Sequence, residues 1–465
     1  MNTEKINGGY RKRYKSLFLF MIVLAIAGLL TWLVKEPGYT GSQVYVLFLF
    51  FFAIGLWLTE AVPPFSVSLF IIAYLVFTLG YEKFTDNPVD IKIYLNTFSS
   101  SVIWLLIGGF FLASAMTKTK LDADLIQVTL KVCGTNPKWI LFGIMLITMV
   151  FSMLISNTAT TVMVLAALMP LLLKMGKGSV VGKALLLGIP IAATTGGMGT
   201  IIGSPPNAIA AGALVNAGHP MDFITWIFYG APVMILLTLF SWWVLVRIFM
   251  KKYEPLSIDD LLAAKQKPSN ELRTKRLTVI VILAVTLLLW LTSPIHKLSA
   301  AAVSAVPLVF LPLTGILKGE DIRAIGWDTL ILVAGGLALG TGLQQTGLMD
   351  LFAGKIASLQ VPHVAFFFIL AYVTMLFSNI MSNTATATVL IPLGMAVLPG
   401  NSVEVCMIIG LSASTALFLP VSTPPNAVVY STGLIEQKDL RIGGLIAGLL
   451  GPALVVLWVL LMSGI

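Results

Sequence analysis

The chain has 465 residues, of which 58% are hydrophobic and 11% charged, with a mean hydropathy of +0.96 and a formal net charge of +9 at pH 7. So few charges cannot cover a water-exposed surface of this size, which excludes a soluble enzyme or binding module and makes the chain a polytopic membrane protein. A pI near 9.4 would suit nucleic acid, but the basic residues sit in short loops between apolar runs, where the positive-inside bias accounts for them, so no nucleic-acid partner is expected.

Apolar runs long enough to cross the bilayer recur throughout, and their length without strict alternation selects helices over a barrel. Arg11-Lys12-Arg13-Tyr14-Lys15 precedes the first, residues 16–34, and holds the N-terminus in the cytoplasm. A signal peptide is disfavoured, because no small-residue cleavage site follows and further spans do. The second run, 44–59, ends at Glu60-Ala61-Val62-Pro63-Pro64, whose prolines stop the helix. Glu60 reads as an interface residue at a helix end rather than a coupling carboxylate. A third run reaches residue 80, and the charged loop 81–96 faces outside. Residues 99–116 carry Gly108-Gly109, which permits close helix contact, and 328–347 carry Gly335-Gly336 at a distance of 227 residues. Between them, Leu121, Leu125, Val128 and Val132 fall on one helical face with charges opposite. Two readings fit: a helix along the membrane surface, or an extended end of the preceding span.

The apolar run 139–173 lies between Lys138 and Lys174 and has a polar vertex at Ser156-Asn157-Thr158-Ala159-Thr160. It is either two short spans meeting in a loop or a hairpin that enters and leaves on the cytoplasmic side, with its tip in the protein interior. The vertex returns 226 residues later as Ser382-Asn383-Thr384-Ala385-Thr386, central to the apolar run 364–398. Each copy has a follower. Gly203-Ser204-Pro205-Pro206-Asn207-Ala208 breaks the run 183–217, and Ser422-Thr423-Pro424-Pro425-Asn426-Ala427, 219 residues on, breaks 403–434. Consecutive prolines remove two backbone donors and leave carbonyls free, so the helix is expected to be interrupted at them. One such vertex would read as helix packing and one Pro-Pro pair as a kink; duplication at matched spacing makes them a site.

Further spans are expected at 224–250, 277–291, 300–316 and 443–462, with Lys438 and Arg441 cytoplasmic. The charged linker 251–276 is placed in the cytoplasm, where Ser257, Asp259 and Asp260 read as the N-cap and acidic first turn of a short surface helix. Five crossings separate the glycine-pair spans whichever way the first hairpin is read, since a hairpin contributes zero or two. An odd number inverts the second copy, giving an inverted repeat with one hairpin from each side and an external C-terminus.

No Lys, Arg, His, Asp or Glu occurs in residues 150–165, 196–212, 376–390 or 418–432. Hydroxyls, amides and helix N-termini suit carboxylate oxygens, whereas unwound carbonyls and helix C-termini suit a small hard cation. An anion buried without a positive side chain pays a desolvation cost on the order of several kcal/mol per charge. Cations bound beside it neutralise it, which is the physical case for sodium-coupled anion uptake. His219, His296 and His363 fall in expected loops without partners at metal spacing, and Cys133 and Cys406 lie far apart as inert packing residues. With no nucleophile and base in array, no enzyme is expected.

Together with Trp57-Leu58-Thr59-Glu60-Ala61-Val62-Pro63, the paired Ser-Asn-Thr and Pro-Pro-Asn motifs closely resemble the divalent anion/sodium symporters, transporters of succinate, malate, fumarate, citrate or sulfate, over essentially the whole chain. The resemblance implies an all-α, inverted-repeat elevator-type transporter, homodimeric in the cell inner (plasma) membrane, with two re-entrant hairpins whose tips meet two broken helices. Scaffold parts would be 1–133 and 277–359, mobile transport parts 138–250 and 361–465, joined by the linker 251–276. By motif position, a first sodium site would use Ser152, Ser156, Asn157 and the Gly203 backbone; a second, Ser378, Asn383 and the backbone of Met381 and Ser422. Substrate carboxylates would meet Asn157, Thr158, Ser204, Asn383, Thr384, Thr423 and Pro424. Ser152 and Ser378 each lie four residues before the motif serine, on the same helical face. Sodium-independent exchangers in the family use a basic side chain in place of a cation; none stands at the matched positions here, which favours symport, with exchange as the alternative. Two Ser-Asn-Thr copies favour C4-dicarboxylates over citrate or sulfate. An anion channel or substrate-sensing receptor on the same scaffold is the remaining class, and inverted hairpins fit alternating access better than a continuous pore.

Overall fold

The computed structural model describes residues 3–251, 255–256, 269–357, 362–398 and 400–464. Among these, all regular structure is helical, and nine helices are long and apolar enough to cross a membrane. Thr3–Val34, Gly41–Thr59 and Pro64–Leu79 come first and pack in sequence. Thr40 caps the second of these, accepting from Gln43 N at 3.3 Å while Gln43 Oε1 accepts from Thr40 N at 2.9 Å. Glu60 ends it in the left-handed region at φ 47° and is exposed, as befits a helix-end residue. The turn that follows is held from both sides: Trp57 Nε1 donates to Pro64 O at 3.3 Å, and the Ser16 hydroxyl donates to the Ala61 carbonyl. The loop expected at 81–96 contains a short helical turn, Lys92–Leu95.

Both glycine pairs lie in long helices, Ser101–Lys118 and Trp327–Gln345, and each divides its contacts alike. A Cβ on Gly108 would come within 2.7 Å of Ser304 Cβ, and one on Gly335 within 2.2 Å of Ser68 Cβ. Gly109 instead faces Ile202 at 3.1 Å, and Gly336 faces Thr388 Cγ2 at 2.6 Å. One glycine of each pair thus packs toward the N-terminal and central spans, the other toward the segments bearing the polar motifs. Close approach without a side chain is what such helix crossings in a membrane require.

After the first glycine-pair helix, Lys120 adopts φ 54° and breaks the chain, so Leu121–Cys133 is a helix of its own, not an extended span. Ile126 and Leu130 are buried against the helix that follows, while Leu125, Val128 and Val132 are exposed. That exposed apolar strip suits a helix lying at a membrane surface. Arg276 anchors its start, donating through Nε to Thr119 O at 2.8 Å and pairing with Asp124. Lys118 pairs with Asp321 close by. Burial pushes the Asp321 carboxyl up, but hydrogen bonds from Lys118 and the Lys318 amide outweigh it and hold the group below its ordinary value.

Two hairpins follow the pattern expected of the vertices. The first is Pro137–Ser152 and Asn157–Met175; the second is His363–Ile380 and Asn383–Val397. Two broken helices accompany them, but each is interrupted upstream of its prolines, which corrects the expectation. Val180–Gly196 and Ser402–Ser412 each pass through one short 3₁₀ turn into irregular backbone, and Pro205–Asn216 and Pro424–Tyr430 then begin with Pro-Pro at their first positions. Proline is favoured there, because the first helical N–H groups have no partner to lose. The prolines start the second halves; they do not end the first.

Three further boundaries differ. The helix Asn270–Leu291 begins inside the expected linker, capped by Ser269 accepting from Leu272 N at 3.2 Å, while Ser257, Asp259 and Asp260 lie outside the described residues. The span expected at 300–316 is divided into Ala300–Val303 and Ala305–Leu313 around Ser304, the residue seated on Gly108. The last span starts earlier, as Gln437–Leu445, and reaches Gly451–Ser463 through a π-helical turn at Ile446–Leu450. Gly444 and Gly448 make room there for Phe418, whose atoms would come within 2.6 Å and 2.4 Å of added Cβ atoms.

Candidate functional site

Each hairpin packs against the broken helix that follows it, and its second helix also packs against the other repeat's half-helix: Asn157–Met175 against Pro424–Tyr430, and Asn383–Val397 against Pro205–Asn216. This crossed packing sets each helix that begins at a Ser-Asn-Thr motif against the half-helix that begins at the other repeat's Pro-Pro-Asn motif. Four helices begin at these motifs, and their N-terminal amides carry partial positive charge. Ser156 and Ser382 are N-caps, accepting from Ala159 N at 3.3 Å and Ala385 N at 3.2 Å, and Thr423 caps the last half-helix by accepting from Asn426 N at 3.4 Å. Ser204 is extended and does not cap its helix, leaving its hydroxyl for other partners.

Of the residues expected at the first candidate cation site, Ser152, Asn157 and the Gly203 carbonyl lie together. The amide end of Asn157 lies 2.6 Å from Ser152 Oγ, 3.1 Å from Ala193 O and 3.2 Å from Gly203 O. With Nδ2 turned inward, Asn157 donates to these three oxygens; with Oδ1 turned inward, four oxygens converge and suit a small hard cation. Ser156 is exposed at the start of the helix, with its hydroxyl accepting from Ala159 N. Ala193 O lies beside the Asn157 amide as well. Two glycines permit the approach: a Cβ on Gly197 would fall 2.6 Å from Asn157 Oδ1, and one on Gly203 2.6 Å from Gly197 O.

In the second copy, Ser378 and Asn383 stand at the positions of Ser152 and Asn157. Ser378 Oγ and Asn383 Oδ1 are each buried without a hydrogen-bond partner in the protein, which is uncommon for buried polar atoms. Met381 is extended between the two hairpin helices, and Ser422 lies in the irregular stretch of the broken helix, buried to 3% exposure. The expected substrate residues divide by exposure. Asn157, Thr158, Asn383 and Thr384 are half-buried, Ser204 and Thr423 are buried, and Pro424 is exposed.

Residues outside the expected set complete the site. Asn207 Nδ2 donates to Gly197 O and Thr200 O, both at 2.8 Å, and Asn426 Nδ2 donates to Leu417 O and Leu419 O, both at 3.0 Å. Each asparagine of Pro-Pro-Asn therefore clamps the irregular backbone on both sides of a turn, satisfying carbonyls the break sets free. The motif repetition contained this signal, since both residues lie in the duplicated hexapeptides. Asn379, which reaches from the second hairpin to Phe418 N and Ser422 Oγ, has Met153 as its counterpart and no echo to reveal it. Among the described residues no group of three His, Cys, Asp or Glu could hold a metal ion.

A family model described as citrate transporter matches residues 54–405. The sodium-dependent dicarboxylate transporter SdcS of Staphylococcus saprophyticus is 28% identical over 96% of this chain and 92% of its own length. The sodium-dependent high-affinity dicarboxylate transporter 3 of Caenorhabditis elegans is 26% identical, covering 100% of this chain and 89% of its own. An uncharacterized transporter of Haemophilus influenzae is 31% identical over 91% and 92%. Among solved structures, the YdaH transporter of Alcanivorax borkumensis shares the fold at a TM-score of 0.58 and 16% identity, over 85% of this chain and 98% of that one. The antimetabolite efflux pump MtrF of Neisseria gonorrhoeae does so at 0.56 and 14%, over 87% and 96%.

Proposed function

The chain belongs to the citrate transporter family, and from that premise we propose that it is a sodium-coupled symporter of C4-dicarboxylates such as succinate, malate and fumarate. The observation that carries this reading is the oxygen-only cluster at Ser152, Asn157, Ala193 and Gly203, with the matching Ser378 and Asn383 oxygens buried in the second copy, in a site whose motif segments hold no charged side chain. Sodium ions are the charge partner such a site can offer a dianion. The sodium-dependent dicarboxylate transporters among the relatives agree with both cargoes. Citrate is the second reading, favoured by the description of the matching family.

In this account the N-terminus is cytoplasmic, the protein is a homodimer, and residues 138–250 and 361–465 move as a transport body against a scaffold of 1–133 and 277–359. Burial differs sharply between the equivalent half-helices. Pro206 through Gly212 are buried, and their helix packs on both glycine-pair helices. Pro424, Ala427 and Tyr430 are exposed, and that half-helix packs on Asn157–Met175 and Val180–Gly196. Exchange of these two environments would be the alternating access an inverted repeat provides. If three sodium ions accompany a dianion, one net positive charge enters per cycle, a driving force of about 2.3 kcal/mol per 100 mV.

A competition panel tests the cargo. Uptake of labelled succinate into proteoliposomes should fall when excess unlabelled malate or fumarate is added and stay unchanged with sulfate. Stronger competition by citrate than by malate would transfer the assignment to tricarboxylates.

A further inference from the structure

We propose that Asn379 is a positioning residue for the second cation site, latching the second hairpin to the irregular stretch of the second broken helix. Its consequence for sodium rests on the transport reading above; the latch itself rests on geometry. Asn379 Oδ1 accepts from Phe418 N at 3.0 Å and from Ser422 Oγ at 2.7 Å, and Nδ2 donates to Met375 O at 2.9 Å. Ser422 Oγ in turn accepts from Leu419 N at 3.0 Å. One buried amide thereby fixes residues 418, 419 and 422 against the hairpin.

The first repeat makes the equivalent contact with a backbone acceptor on the hairpin. Its hairpin helix stops at Ser152, and the Met153 carbonyl accepts from the Thr200 hydroxyl. In the second repeat the helix runs on through Ile380 and closes with Met381 N donating to Phe377 O at 2.8 Å. Helical carbonyls point along the axis and not sideways toward the broken helix, so a side-chain amide has to supply the acceptor. The latch also bears on the ligands. Met381 and Ser422, the two backbone groups assigned to the second site, lie two residues after Asn379 and on its hydrogen-bond partner. Outer partners that orient ligands set metal affinity nearly as strongly as the ligands do.

Four variants test this: Asn379→Leu removes the acceptor at similar volume, Asn379→Asp keeps both accepted bonds, Ser422→Ala removes one donor, and Thr200→Val acts on the other repeat. The readouts are the sodium concentration giving half-maximal succinate uptake in proteoliposomes and amide hydrogen exchange of residues 417–423 in sodium-free buffer. Asn379→Leu should raise the half-activating sodium concentration about tenfold or more, with the succinate KM at saturating sodium unchanged, and Asn379→Asp, which keeps both accepted bonds but loses the donor to Met375 O, should raise it by less. Asn379→Leu should be non-additive with Ser422→Ala and additive with Thr200→Val. Exchange of 417–423 should quicken in Asn379→Leu and not in Asn379→Asp. Unmoved sodium activation in Asn379→Leu, an equal rise in Asn379→Asp, or full additivity with Ser422→Ala would overturn the proposal. Should wild-type uptake ignore sodium, the transport reading fails; exchange then decides the latch alone, and unchanged protection in Asn379→Leu overturns it.

Discussion

Asn157 and Asn383 hold equivalent places in the two hairpins, and their amides meet different surroundings. Asn157 is crowded by three oxygens, whereas Asn383 Oδ1 is buried with no protein donor. In the proposed mechanism both serve cation and carboxylate together, so neither can be shortened without losing two contacts. Asn157→Ala or Asn383→Ala should lower uptake at least about a hundredfold, at the upper end of what losing even an outer partner of a metal site costs, while expression and the wild-type elution volume persist. Uptake retained at wild-type sodium affinity would show that the site lies elsewhere. Ser156 and Ser382 are a lesson in the same motif. Only Ser156 is expected among the sodium ligands, yet both serines precede a helix and both hydroxyls accept from its third amide. Ala193 was invisible because it contributes only a carbonyl, which any residue possesses.

The helices with glycine pairs show how one element serves two neighbours. Gly335 meets Ser68 so closely that an added Cβ would stand 2.5 Å from the Ser68 Cα, a backbone atom that cannot step aside. Gly336 meets the Thr388 methyl, on the second hairpin, the proposed moving side. Gly335→Ala should therefore destabilise the fold, by about 1–3 kcal/mol as overpacking does, seen as a lowered melting temperature in detergent. Gly336→Ala should lower melting by less than Gly335→Ala, since it meets a side-chain methyl and not backbone, and should slow uptake. The reverse pattern would mean that the sliding contact has been placed on the wrong face. Both pairs were legible in sequence, since close contact demands glycine and the 227-residue offset repeats. The interruption of the broken helices was legible and its cause was not. Pro205 and Pro424 mark where helices begin, whereas the unwinding upstream is held by Asn207, Asn426 and hydroxyls that reach across from distant segments. Such long-range hydrogen bonds leave no local pattern in a chain.

At the scale of the whole molecule, the duplicated motifs were enough to derive an inverted repeat, because counting crossings needs only apolar runs. The partition of contacts was not derivable. The two half-helices have nearly the same opening sequence, Pro-Pro-Asn-Ala, yet one is buried on both glycine-pair helices and the other is partly exposed. Under the proposed alternating access that difference would belong to one conformation, which a duplicated sequence pattern does not specify. The central claim is that cations, and no basic side chain, neutralise the anion in this site. Labelled succinate uptake into proteoliposomes tests it most directly, with an inward sodium gradient compared with potassium, in empty and in succinate-loaded vesicles. The account predicts uptake into empty vesicles with sodium and none with potassium. Sodium-independent uptake confined to loaded vesicles would make the protein an exchanger and contradict the charge argument on which the account rests.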